Sequence, residues 1–244
     1  MRRIVQRHPL PHHIWHQATR QLVVLQGLDA VQMAHLRELT TWFLHSKAIN
    51  GVHGLEVTMP MRVAVAAQAC LLILNLGTRY FDNWVEVVLY PGAFGVSREQ
   101  TDEIGLVHED TQVLSGESWI RGPVVLSWDD VEWDSYHQTG SNVVLHEFAH
   151  KLDGLSGETN GMPPLHRGMS RKIWAESMSS AYDALHRQAA AGKPPCIDPY
   201  AATNPAEFFA VVTEYFFTEP ETLKDCYPEV HRQLALFYQQ PVSR

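Results

Sequence analysis

The chain has 244 residues, 45% hydrophobic and 19% charged, a balance that excludes a disordered or fibrous protein and suits one substantial core or at most two small lobes. Its formal net charge is −8 and it has no long run of Lys and Arg, which speaks against nucleic acid as a direct ligand. Cys70, Cys196 and Cys226 are odd in number, widely spaced and without a CxxC pair, so neither a thiolate metal site nor a disulfide framework is expected, and a reducing cytoplasm is the expected compartment.

The amino terminus, MRRIVQRHPLPHH, is basic but has no apolar h-region, so no export is expected. From Asp29 to Lys47 apolar residues recur at Val31, Leu36, Leu39, Phe43 and Leu44, the spacing of one helical face behind an Asp29 cap. A second helix is predicted to open near Met61 after Pro60, to run through AVAAQACLLIL and to stop at Gly77; apolar almost all round, it belongs in the core. Its most apolar stretch, Val63 to Leu76, is interrupted by Gln68 and Asn75 and falls short of the ~20 residues of a membrane span.

WVEVVLY, Trp84 to Tyr90, is rich in β-branched and aromatic residues and ends at Pro91-Gly92, which predicts a strand and a turn. A polar stretch follows to about Glu109. GPVVLSW, Gly122 to Trp128, has the same strand character, and Gly116 and Gly122 bracket a hairpin or bend with the run before it. Ser141 or Asn142 can cap a helix starting close to Val143 and carrying VVLHEFAHKLD, over which the strands can form a sheet. GLSGETNGMPPL reads as loop, Arg171 to Ala191 as helix, and a last helical region containing AEFFAVVTEYFF begins at Asn204-Pro205. Helices and strands together make an α+β protein.

HEFAH is the sharpest local signal. On a helix His146 and His150 project from one face towards one point, and Glu147 stands beside them as a carboxylate free to act as general base. Chance alone yields such a motif in roughly one chain in twenty of this composition. Two imidazoles and a helical carboxylate point to zinc and to peptide hydrolysis. Catalytic zinc usually has three protein ligands, and the absence of a histidine soon after Asp153 argues against HExxHxxGxxH. His166 follows a Gly/Pro loop and has no helical partner. Glu207, a carboxylate among Phe208, Phe209, Val211 and Val212, is the better third ligand, although it could equally serve only the dipole of its helix. Glu214, on the same face, is either a partner for a ligand histidine or a solvated charge. His45, His53, His108, His137 and His186 are scattered and read as surface or core residues.

GLEVTMPMRVAVAAQACLLIL, WVEVVLYPGAF, LSGESWIRGPVVLSWDDV, HEFAHKLDGLSGETNGMP and DPYAATNPAEFFAVVTEYFF together resemble the Mlc titration factor A family of zinc peptidases, whose catalytic region looks like that of anthrax lethal factor. The resemblance spans about Leu22 to Phe217 and is loose from Lys224 onward. It implies a zincin-like fold with a small sheet over an HExxH active-site helix and additional N-terminal helices. Residues 1–244 would form a single compact unit, with a helical N-terminal lobe over about 1–80 and a catalytic region over about 81–244. It further implies one zinc ion held by His146, His150 and Glu207, with Glu147 as general base and Tyr200 in the active site. From the residues alone, packing in the loop after Pro199 is the preferred reading of Tyr200.

The expected activity is a zinc-dependent, aminopeptidase-like peptidase, with a peptide substrate laid beside the GPVVLSW strand as at a sheet edge. The alternative is a non-catalytic regulatory protein that sequesters a transcription factor, because the resemblance implies binding of the Mlc repressor. No direct nucleic-acid or membrane partner is expected.

Overall fold

The computed structural model describes residues 1–92, 94–101, 107–114, 116–118, 122–137 and 139–240. Two short helices, α1 (Arg2–Arg7) and α2 (His12–Thr19), precede α3 (Ala30–Ser46) and strand β1 (Ala48–Gly51). Then come α4 (Met59–Leu72), β2 (Glu86–Tyr90), β3 (Phe94–Thr101), β4 (Val107–Leu114), β5 (Gly116–Ser118) and β6 (Val124–Ser127). The remainder is helical: α5 (Trp128–Tyr136), α6 (Val143–Asp153), α7 (Arg171–Ala190), α8 (Pro205–Thr218), α9 (Pro220–Cys226) and α10 (Pro228–Tyr238). No described helix is long and apolar enough to cross a membrane.

Local chemistry sets these boundaries. Asp29 accepts from the backbone N–H groups of Val31 and Gln32, and Gln32 returns a bond to Asp29 N, a reciprocal cap that starts α3. Thr58 caps α4 and Pro60 occupies its first turn, so α4 opens at Met59, earlier than Met61, and ends at Leu72; turns carry the chain on to Gly77. Every residue from Val63 to Leu72 is buried, as an all-round apolar helix requires.

The main sheet has the order β1-β2-β6-β5. β1, β2 and β6 are parallel, with Ile49 opposite Val87 and Val87 opposite Val124, and the fully buried Val87, Leu89, Val124 and Leu126 turn one face to the core. β5 pairs antiparallel with β6, the hairpin expected between Gly116 and Gly122, with its connection 119–121 outside the described residues. This placement corrects one expectation: β6 is paired on both sides, so GPVVLSW is an inner strand and β5 forms the edge. The polar stretch before Glu109 also contains structure, since β3 and β4 form a separate antiparallel ribbon.

An aromatic cluster ties the N-terminal helices to the HEFAH helix. Phe148 of α6 lies 5.9 Å from Phe43, 5.3 Å from Phe81 and 5.3 Å from Trp84, ring centre to ring centre. At about 1.5–3 kcal/mol per buried large apolar side chain, these contacts hold α6 firmly by the face opposite its histidines. α6 also packs on α4 and α8. Cys196 and Cys226 are paired as a disulfide with Cα atoms 6.5 Å apart, contrary to the expectation of no disulfide, while Cys70 is a free buried thiol. The paired cysteines are 30 residues apart in sequence, Cys196 in the segment between α7 and α8 and Cys226 at the end of α9.

Candidate metal centre

Asn142 caps α6, its side-chain oxygen accepting from Leu145 N at 2.9 Å, so the helix begins at Val143 as its sequence suggests. The helix therefore places His146 and His150 one turn apart on one face. Asn204 caps α8 in the same way, accepting from Ala206 N at 2.9 Å and Glu207 N at 3.0 Å, and so fixes Glu207 in the first turn.

These two helix faces converge. Glu207 Oε2 lies 3.0 Å from His146 Nε2 and 3.2 Å from His150 Nε2, and the two ring nitrogens are 3.2 Å apart. Among the described residues this trio is the group of His, Cys, Asp or Glu side chains able to hold a metal ion. A small tetrahedral ion with bonds of about 2.0–2.1 Å spaces its ligand atoms about 3.3 Å apart, close to the observed triangle.

The proton accounting favours a cation at its centre. His146 Nδ1 donates to Glu214 Oε1 at 2.7 Å, which leaves Nε2 with a lone pair directed at the lone pairs of Glu207 and His150. Such a convergence of acceptors is repulsive until a proton or metal ion fills it. Burial works against charge on His146, yet Glu214 and then Glu207 hold its imidazolium well above the usual histidine range. Burial likewise opposes ionised Glu207, but hydrogen bonds from His146 and His150 keep its carboxyl far below the usual carboxylate range.

Glu147 is buried beside His146, and Lys151 sits one turn further along α6. Burial pulls the Lys151 ammonium down to about 8, against the stabilising charge of Glu147. Lys151 Nζ donates to Gly122 O at 2.8 Å, pinning the approach to β6 against the helix. Tyr200 is exposed at the rim, its ring 6.0 Å from that of His146, held by Asp198, which accepts from Tyr200 N at 2.8 Å.

The structure thus brings His146, His150 and Glu207 together, with Glu147 and Tyr200 near them. His166 is engaged elsewhere, bonded to Phe237 O at 2.7 Å. Glu214 proves to be a partner of His146 and is buried. Sequence reasoning missed Asp134, whose Oδ2 accepts from Val143 N at 2.7 Å, and the link from Asn142 to Gln68. The one available signal was Gln68 itself, an amide inside the apolar run Val63–Leu72.

A family model described as "Glucose-regulated metallo-peptidase M90" matches residues 1–239. Mlc titration factor A of Klebsiella pneumoniae (strain 342) is 40% identical over 238 residues, covering 94% of this chain and 87% of the relative. The Mlc titration factor A proteins of Yersinia pestis (strain Pestoides F) and Yersinia pseudotuberculosis serotype O:1b (strain IP 31758) are each 36% identical over 234 residues, covering 94% of this chain and 86% of the relative.

Proposed function

Since the chain belongs to the glucose-regulated metallopeptidase family M90, we propose that it is a zinc-dependent peptidase whose ion is held by His146, His150 and Glu207. The observation that carries this reading is the triangle of ligand atoms 3.0–3.2 Å on a side. Two imidazoles and one carboxylate are a donor set typical of catalytic zinc with a position left open. The zincin-like reading of the fold, with α6 as the active-site helix and residues 1–80 as a supporting lobe, rests on the same geometry.

When bound, the ion supplies Lewis acidity, polarising a carbonyl and acidifying a water. Glu147 is placed to take a proton from the attacking water and to pass it to the departing amine. The Tyr200 hydroxyl donates a hydrogen bond to the oxyanion as it develops. The peptide lies along β5, the edge strand among the described residues, which packs on α6, pairing its main chain there and not at β6. Aminopeptidase-like cleavage is the form of the activity we propose.

A second reading is favoured by the name of the relatives, Mlc titration factor A: this chain binds an Mlc-like transcriptional repressor. A binder needs no base beside a metal, so Glu147 separates the two functions. The test is hydrolysis of chromogenic amino-acid and peptide substrates with and without chelator. Cleavage that is lost on chelation and restored by zinc supports the peptidase; a zinc-loaded protein that cuts none of them favours the binder.

A further inference from the structure

We propose that Gln68 and Asn142 are positioning residues for the metal centre, fixing the ring of His146 through Glu214. The inference rests on the metallopeptidase reading and extends it to a helix with no ligand of its own.

Gln68 is the anomaly in α4. It is fully buried with apolar residues on either side, where an unbonded amide is strongly disfavoured. Its Nε2 donates to Ala64 O at 3.3 Å, and its Oε1 accepts from Asn142 Nδ2 at 2.7 Å. Asn142, only 1% exposed, uses every polar atom. Its Oδ1 accepts from Leu145 N at 2.9 Å, its carbonyl accepts from His146 N at 2.9 Å, and its own N–H donates to Glu214 Oε2 at 2.5 Å. The other oxygen, Glu214 Oε1, accepts from His146 Nδ1 at 2.7 Å.

The chain of bonds leaves no rotational freedom. Were the Asn142 amide to flip, its NH2 would face Leu145 N–H and its oxygen would face Gln68 Oε1, donor against donor and acceptor against acceptor. Gln68 therefore tethers the Asn142 side chain to α4, and with it the residue whose main-chain N–H meets Glu214. Asn142 N–H then pins one oxygen of Glu214, which fixes the carboxylate plane and the direction in which the other oxygen meets His146. That direction sets the imidazole plane, and so the aim of Nε2 at the site shared with His150 and Glu207. From α5, Asp134 holds the next amide, Val143 N, and steadies the same helix start.

A cap alone would stabilise α6 without tuning the ligand, so the test reads the metal. Apo-protein made by chelation is titrated with Co2+ while its visible ligand-field absorption is recorded, for the parent, Gln68→Leu and Asn142→Ser. Serine keeps the cap oxygen and the backbone N–H but lacks Nδ2, so Asn142→Ser stays folded by circular dichroism even if Gln68→Leu does not. Folded variants are expected to bind Co2+ measurably more weakly than the parent, by less than the roughly 10–100-fold typical of losing a ligand's direct partner, with an altered absorption band. Folded variants with the parent's affinity and band overturn the inference alone. A parent that takes up no Co2+ overturns the metal reading and this inference with it.

Discussion

Glu147 and Tyr200 carry the chemistry at the scale of single residues. Glu147→Gln is isosteric and leaves the three ligands in place, so bound zinc stays at the parent level while kcat falls by about 10²–10⁴-fold. Steady-state kinetics beside metal analysis checks both, and parental turnover in this variant contradicts the assignment of the base. Tyr200→Phe removes only a hydroxyl. Its loss is expected in kcat, by about 10²-fold, with KM little changed; an unchanged kcat makes Tyr200 a packing residue of its loop. HEFAH was readable because helical period alone sets two imidazoles on one face. Glu207 and Glu214 were half readable: their burial among aromatics raised the question of a partner, and only the packing of α8 on α6 answered it. Gln68, Asn142 and Asp134 join through contacts between α4, α5 and α6, and no local pattern encodes such a meeting.

Elements supply the frame, and their caps and turns are testable. Gly161 lies in the loop between α6 and α7, with φ +78°, its N–H donating to Asp153 Oδ2 at 2.7 Å and its carbonyl accepting from Trp174 Nε1 at 2.9 Å. An added Cβ would meet Pro205 O at 2.6 Å, against the first turn of α8. Gly161→Ala is therefore expected to cost about 2 kcal/mol or more and to weaken zinc binding by shifting Glu207; an unfolding curve equal to the parent's rejects this role.

Asp134 on α5 gives a pH dependence. Burial above all pushes its carboxyl up to about 6, against the pull of the Val143 bond. The folded chain thus holds this proton more tightly than the unfolded chain, where the pKa is about 3.9, so the associated stability is full below about pH 4 and lost by about pH 6. Asp134→Asn keeps an acceptor for Val143 N and cannot titrate. Its stability relative to the parent should rise by about 2 kcal/mol between pH 4 and pH 7, and denaturant unfolding with the same difference at both pH values refutes it. Among the elements, α3 was legible from its periodic face and Asp29 cap, α4 from its all-round apolar run after Pro60, α6 from its cap and HEFAH, α7 from its composition and α8 from Asn204-Pro205. The β3–β4 ribbon was not, since SREQT and HEDTQV lack the apolar alternation that marks a strand. α9 and α10 begin at Pro220 and Pro228 after short segments that no periodic run announces.

For the molecule as a whole, the metal is expected to be a stabilising ligand. The trio joins α6 to α8, so an ion held by all three ties the two helices together. Zinc at 1,000 times its Kd should add about 4 kcal/mol to the native state, so chelation lowers Tm and readdition restores it. The sheet order and the placement of β5 at the edge were beyond sequence reading, because strand pairing joins residues distant along the chain. The central claim is that one ion sits between His146, His150 and Glu207. Zinc content per chain, measured by mass spectrometry on the parent and on His150→Ala after identical dialysis, tests it directly. One zinc in the parent and almost none in the variant is the predicted result; a parent without zinc, or a variant that keeps it, contradicts the account.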